Sequence, residues 1–180
     1  FDLLQQCGAL GVLLPELHWP GGARAALRAA VQLSADGAVR FAALLTGSNP
    51  GEISALCQRL RVPTEYRELA VLNAGWTAGL LAAAHGNAGV LLALLEKADA
   101  YRRAARFEQL LLAAEATLRG QHADDDVADR AHGAAQRLRA ARNASAAVTL
   151  PPAQLQGLAG PQIAAAMRAA REAQIQAQLS

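Results

Sequence analysis

The chain has 180 residues, of which 53% are hydrophobic and 18% charged, with a formal charge of +2. That balance excludes a disordered polymer, and the length suffices for one domain or two small, closely packed ones with a real core. Lys97 is the single lysine, so the cations are otherwise arginines; an arginine excess permits anion binding but also follows from GC-rich coding, so the placement of the arginines has to decide.

Phe1, Leu3, Leu4, Cys7 and Leu10 recur at helical spacing and predict a first helix to about Leu14, stopped by Pro15. His18-Trp19-Pro20-Gly21-Gly22 is a turn by composition, Ala23 to Leu33 a helix, Asp36-Gly37 a turn, and Val39 to Leu45 a short apolar helix. Thr46 to Gly51 breaks the chain again. Ile53, Leu56, Cys57 and Leu60 then form one face of an amphipathic helix, with Arg59 and Arg61 off that face. Thr64 is the predicted N-cap of the next helix, whose first turn holds Glu65 and Glu68 and whose buried stripe runs Tyr66, Leu69, Leu72, Trp76, Leu80.

After a break at His85-Gly86-Asn87 come a leucine-rich helix from Val90 to Ala98 and another from Tyr101, ending near Gly120 as a left-handed terminator. Asp124-Asp125-Asp126 reads as a helix cap more readily than as a metal cluster. The helix it opens is lined by Val127, Ala131, Ala134 and Leu138, leaving Arg130, Arg137, Arg139 and Arg142 for solvent or RNA. Thr149 to Pro152 is a stiff connector, and a last helix from Pro161 carries Ile163, Ala166, Met167 and Ala170 on one side. No strand pattern of convincing length occurs, so the fold class is all-α, with residues 1–85 and 86–180 as two segments of one packed unit.

Chemistry is scarce. There is no phosphate-binding glycine loop, no dinucleotide fingerprint and no nucleophile elbow. His18, His85, His122 and His132 are scattered at surface or loop positions without zinc-site spacing, and Cys7 and Cys57 read as small core residues. No catalytic residue, metal site or cofactor of the chain's own is expected. No run is long and apolar enough to span a bilayer, and the cytoplasm is the default location.

Several segments, in order, resemble the helical C-terminal half of bacterial tRNA nucleotidyltransferases, the CCA-adding enzymes, and the related poly(A) polymerases. They are Phe1-Asp-Leu-Leu-Gln-Gln-Cys-Gly-Ala-Leu10, Leu13-Leu-Pro-Glu-Leu17, Val39-Arg-Phe-Ala-Ala-Leu44, Leu56 to Leu69, Asp99 to Phe107, Glu115-Ala-Thr-Leu-Arg-Gly120 and Leu158-Ala-Gly-Pro-Gln-Ile163. The resemblance implies a helical body and tail that hold the acceptor and T arms of tRNA. It also implies a separate N-terminal head that uses Mg2+ with CTP and ATP and whose Gly-Ser and Asp-x-Asp signatures are absent from this chain. Many members carry a His-Asp phosphohydrolase doublet just after the segment resembling Val39 to Leu44. That place reads Leu45-Thr46-Gly47-Ser48 here, the surroundings are shortened, and Thr117 stands where the family has aspartate. A degenerate, non-catalytic helical region is the expectation, without phosphohydrolase activity.

On this resemblance, phosphate contacts and the shape of the tRNA dominate binding, and Arg59, Arg61, Arg67, Arg102, Arg103, Arg106 and Arg119 are the candidate RNA-binding residues. The competing view pairs Arg67, Arg106 and Arg119 with Glu65, Glu68, Asp99, Glu108 or Glu115 on the helix surface. The alternative function is a helical protein-interaction or dimerisation module, and a homodimer is left open.

Overall fold

A computed structural model describes residues 1–19, 21–122 and 124–179, and among them twelve helices and no strand occur, as the all-α reading requires. In chain order these are α1 (Asp2–Gln6), α2 (Ala9–Leu13), α3 (Gly21–Leu33), α4 (Gly37–Leu44), α5 (Pro50–Arg59), α6 (Thr64–Ala74), α7 (Thr77–Ala83), α8 (Ala88–Lys97), α9 (Ala104–Gln121), α10 (Asp125–Ala146), α11 (Pro152–Leu155) and α12 (Gly160–Leu179). Pro20, in the predicted turn before α3, lies outside the described residues.

α9 is the axis. Phe107, Leu110, Leu111 and every residue from Ala113 to Leu118 are buried, and a helix buried on all sides must be surrounded. α3, α4, α6, α7 and α10 supply that surround, α3 most extensively. Gly120 is where α3 and α9 come closest: a Cβ there would lie 2.3 Å from the Ala26 amide nitrogen and 2.5 Å from its Cα. This corrects the reading of Gly120 as a left-handed terminator. The helix runs on to Gln121, and the glycine is needed because two backbones meet at that point. Gly22 answers it from α3, its own missing Cβ 3.4 Å from the Gly120 carbonyl.

Other boundaries also differ from expectation. Gly8, at φ 74°, splits the first predicted helix into α1 and α2, and Cys7 is consequently exposed while Cys57 is buried as foreseen. The long stripe breaks at Gly75-Trp76, although Leu69, Trp76 and Leu80 are all buried. Thr64 is the first helical residue, not the cap. Extended Pro63 caps α6 instead, its carbonyl accepting from the amides of Tyr66 and Arg67.

α9 starts at Ala104 because α8 closes in a Schellman motif: left-handed Asp99 donates its amide to Glu96, and Ala100 donates to Leu95. Arg61 closes α5 in the same way, at φ 52°, with Arg61 donating to Gln58 and Val62 to Cys57. Part of the stiff connector forms α11. α12 is laid over α8 and α10 through fully buried Ile175, the Arg171 guanidinium 4.0 Å from the Tyr101 ring centroid, and Arg168 on Glu96 at 3.1 Å.

Asp36, Asn49, Asn87 and Asp124 each accept an amide at the start of α4, α5, α8 and α10. Asp36 also accepts the Gln109 side-chain amide from α9 at 2.7 Å. That bond first, with the amides of Ala38 and Val39, holds its carboxyl below the ordinary value. The charged form therefore stabilises the fold above the unfolded-state pKa, and the contribution is lost as pH falls through the lowered native one. Between about pH 5 and about pH 3, wild type should lose unfolding free energy more steeply than Asp36→Asn in urea titrations; parallel losses would deny Asp36 this role.

Candidate nucleic-acid interface and a separate cavity

The seven candidate arginines divide by partner. Arg59 grips both carboxylate oxygens of Glu16 (3.2 and 2.6 Å) and donates to the Leu13 carbonyl at 3.1 Å, clamping the segment after α2 to α5. Its hydrogen bond holds the Glu16 carboxyl below the usual range. Arg103 and Arg106 converge on Glu68 at 2.9 and 3.3 Å, and Arg106 also donates to the Ala98 carbonyl at 3.4 Å. Arg119 holds Glu115 at 2.6 Å, and that carboxylate, only 1% exposed, also faces His132 at 3.3 Å.

Arg61 and Arg67 are exposed and have no ion pair among the described residues, so Arg67 pairs with neither nearby glutamate. Arg102 is 84% exposed, with Asp99 no nearer than 3.9 Å.

Glu68 draws these groups together. It follows Arg67 on α6 and binds Arg103 and Arg106 at the start of α9, so the α5–α6 and α8–α9 turns share one side of the molecule. Exposed ion pairs are worth little, and Arg103, half exposed between Glu68 at 2.9 Å and Asp99 at 3.7 Å, holds neither tightly enough to exclude a phosphate. Arg119 stands apart, thirteen residues along α9 from Arg106, or about 20 Å.

The expectation that all the α10 arginines remain available is overturned. Arg137 donates to the Ala83 and Gly86 carbonyls (3.1 and 2.9 Å) and Arg142 to that of Ala100 (2.9 Å), so both satisfy helix-end carbonyls. Arg139 binds Glu108 at 2.7 Å. Sequence reasoning had no signal for these roles, because the carbonyls belong to turns far along the chain.

Thr46, just after α4, and Thr117, on α9, meet although 71 positions apart. Their hydroxyl oxygens are 3.3 Å apart, and the Asn73 side-chain nitrogen is 3.0 Å from Thr117. Each hydroxyl has one proton. The Thr46 hydroxyl donates its proton to the Ala43 carbonyl at 2.7 Å. The Thr117 hydroxyl therefore donates to Thr46 and accepts from Asn73, a one-way chain of neutral groups. These residues line a cavity of about 290 Å³ together with Leu45, Gly47, Ser48, Asn49, Gln121 and small apolar residues, none of them charged.

A hydrolytic metal centre needs imidazoles and carboxylates converging on an ion, and this donor set does not fit one. Among the described residues no group of three or more His, Cys, Asp or Glu is placed to hold a metal. His18 approaches the cavity edge at Ser48 Oγ, 3.4 Å away, but Ser48 donates to the Glu16 carbonyl at 3.1 Å, so this pair is not a nucleophile with its base.

The fold and this surface define an all-helical chain with exposed arginines at the α5–α6 and α8–α9 turns and a separate uncharged cavity. No protein-family model and no solved structure matches it. Among curated proteins, the CCA-adding enzyme of Pseudomonas putida (strain F1) is 38% identical over 171 residues, covering 95% of this chain and 45% of that protein. The multifunctional CCA protein of Nitrosococcus oceani is 35% identical over 199 residues (91% and 48%), and that of Thioalkalivibrio sulfidiphilus 34% over 206 (95% and 50%).

The chain is homologous to the bacterial CCA-adding enzymes, and it spans about half the length of the curated relatives it matches. The last two alignments are longer than the whole 180-residue chain, so those relatives carry extra residues without a counterpart here. No helix among the described residues is long and apolar enough to cross a membrane.

Proposed function

We propose that this chain is the tRNA-holding helical part of a CCA-adding nucleotidyltransferase, acting in the cytoplasm alongside a head that carries the Mg2+, CTP and ATP chemistry. The arginine cluster carries the reading: Arg61 and Arg67 are exposed without an ion pair among the described residues, Arg102 is 84% exposed with Asp99 3.9 Å away, and Arg103 and Arg106 share Glu68. Such a face suits the phosphates of a folded RNA, and guanidinium groups spread over two turns follow backbone shape better than base sequence.

The relatives named for CCA addition support the acceptor end of tRNA as the ligand. Titration of labelled tRNA at two ionic strengths tests it: binding should weaken as salt rises, and absent or salt-independent binding refutes it.

The neutral Thr46–Thr117–Asn73 chain also supports the loss of any phosphohydrolase centre in this region. Incubation of a 2′,3′-cyclic nucleotide with nickel or magnesium should give no turnover above the protein-free rate, and metal-dependent hydrolysis overturns this part.

One observation favours a second reading, a protein-contact module or homodimer. Leu3, Val12 and Leu13 are 78%, 80% and 52% exposed on α1 and α2, an apolar strip of the kind that meets other chains. Self-association seen by light scattering, without a tRNA mobility shift, would favour it.

A further inference from the structure

Lys97, the only lysine of the chain, is exposed at the end of α8 and has no ion pair among the described residues. The helix end does not need it. The Leu95 and Glu96 carbonyls accept the amides of Ala100 and Asp99, and the Ala98 carbonyl accepts from Arg106 at 3.4 Å. The carboxylates near it are also engaged: Glu96 with Arg168 at 3.1 Å, Glu68 with Arg103 and Arg106, and Asp99 with Arg103 at 3.7 Å and Arg102 at 3.9 Å. A cation among acids that arginines already neutralise attracts anions from outside.

Lys97 also lines an open hollow of about 360 Å³, together with Arg106, Glu68, Val71, Leu72 and Gly75. Val71, Leu72 and Gly75 give it an apolar wall along α6, and the ammonium and guanidinium groups stand against that wall. A small inorganic anion gains nothing from the wall, and a purely apolar ligand gains nothing from the cations. A nucleic-acid strand uses both, because its sugars present C–H faces between charged phosphates. An acidic, apolar peptide has the same two features, and continuity decides between them. Arg106 lines the hollow and shares Glu68 with Arg103, so the hollow extends the arginine face.

We infer that this hollow seats a stretch of the RNA sugar–phosphate backbone, with Lys97 as a phosphate contact beyond the arginines. The inference rests on the tRNA-holding reading and adds a place and a residue to it.

The full chain is titrated with a tRNA transcript as wild type, Lys97→Gln, Lys97→Arg and Gly75→Leu. Lys97→Gln should weaken binding at least about threefold and lower the slope of log K against log salt by about 1. Lys97→Arg keeps the charge and should retain most of both. Gly75→Leu changes no charge: Gly75 has φ −103°, which any residue adopts, and nothing lies within 4 Å of its would-be Cβ. That variant should fold like wild type, narrow the hollow and weaken binding by a similar factor. Because Lys97 is the only lysine, its acylation by an amine-reactive ester, read by mass spectrometry, reports its cover directly. The tRNA should protect it, and poly-glutamate at equal charge should not.

Salt-dependent tRNA binding that leaves Lys97 unprotected, or that Lys97→Gln or Gly75→Leu does not weaken, overturns the inference while the arginine reading stands. Equal protection by poly-glutamate overturns it in favour of an acidic protein partner. Absent or salt-independent binding by wild type refutes both.

Discussion

Alanine at Gly120 should lower unfolding free energy by about 3 kcal/mol and the thermal midpoint by on the order of 10 °C. Propensity alone argues the other way, since glycine inside a helix costs roughly 0.5–1 kcal/mol relative to alanine. What decides the sign is that the new methyl would fall 2.3 Å from the Ala26 nitrogen and 2.5 Å from its Cα. Backbone cannot rotate aside like a flexible side chain, so α3 must be pushed off α9 across the most extensive helix pair in the fold.

Gly133 provides the matched control. It is exposed in mid-α10, with nothing within 4 Å of its would-be Cβ. Alanine there should raise stability by about 0.5–1 kcal/mol. If both substitutions move the midpoint in the same direction in differential scanning calorimetry, the close-crossing explanation is wrong.

The same glycine marks how much of the fold was legible in the sequence. Apolar periodicity located the helices because burial imposes it locally: Phe107, Leu110 and Leu111 point inward as their spacing requires. Whether a glycine ends a helix or admits a neighbour depends on a residue nearly a hundred positions away, and no local pattern records that. The Schellman turns at Arg61 and Asp99 were missed for a related reason, since a left-handed position normally announces itself as glycine and here does not.

The candidate site was legible as a set of arginines but not as a surface. Arg59 and Arg119 are committed to Glu16 and Glu115, and only the fold reveals this for Arg59, whose partner is 43 residues away. The meeting of Thr46 with Thr117, 71 positions apart, likewise joins two positions that no local pattern connects.

The arginine cluster yields the sharpest functional test. A triple variant, Arg61→Gly, Arg67→Ala and Arg102→Ala, removes two guanidinium groups without an ion pair among the described residues and a third, 84% exposed, that is 3.9 Å from Asp99. It leaves Glu68 with Arg103 and Arg106, so the α6–α9 tie survives. Glycine is chosen at position 61 because the φ of 52° there suits it better than any other residue, so the charge is removed while the backbone relaxes. Stability should therefore hold or rise slightly.

Affinity for tRNA should fall by roughly tenfold or more, and the slope of log K against log salt should shrink by about 1 for each phosphate contact removed. Arg130→Ala is the comparison: that side chain is 47% exposed on α10 and 3.7 Å from Asp126, away from the cluster, and its loss should leave the slope unchanged. If the triple variant and Arg130→Ala weaken binding equally, the charge acts diffusely and the clustered face is not the docking surface. If the triple variant weakens binding without altering the slope, its arginines do not meet phosphates, because counterion release is the one contribution that must disappear with them.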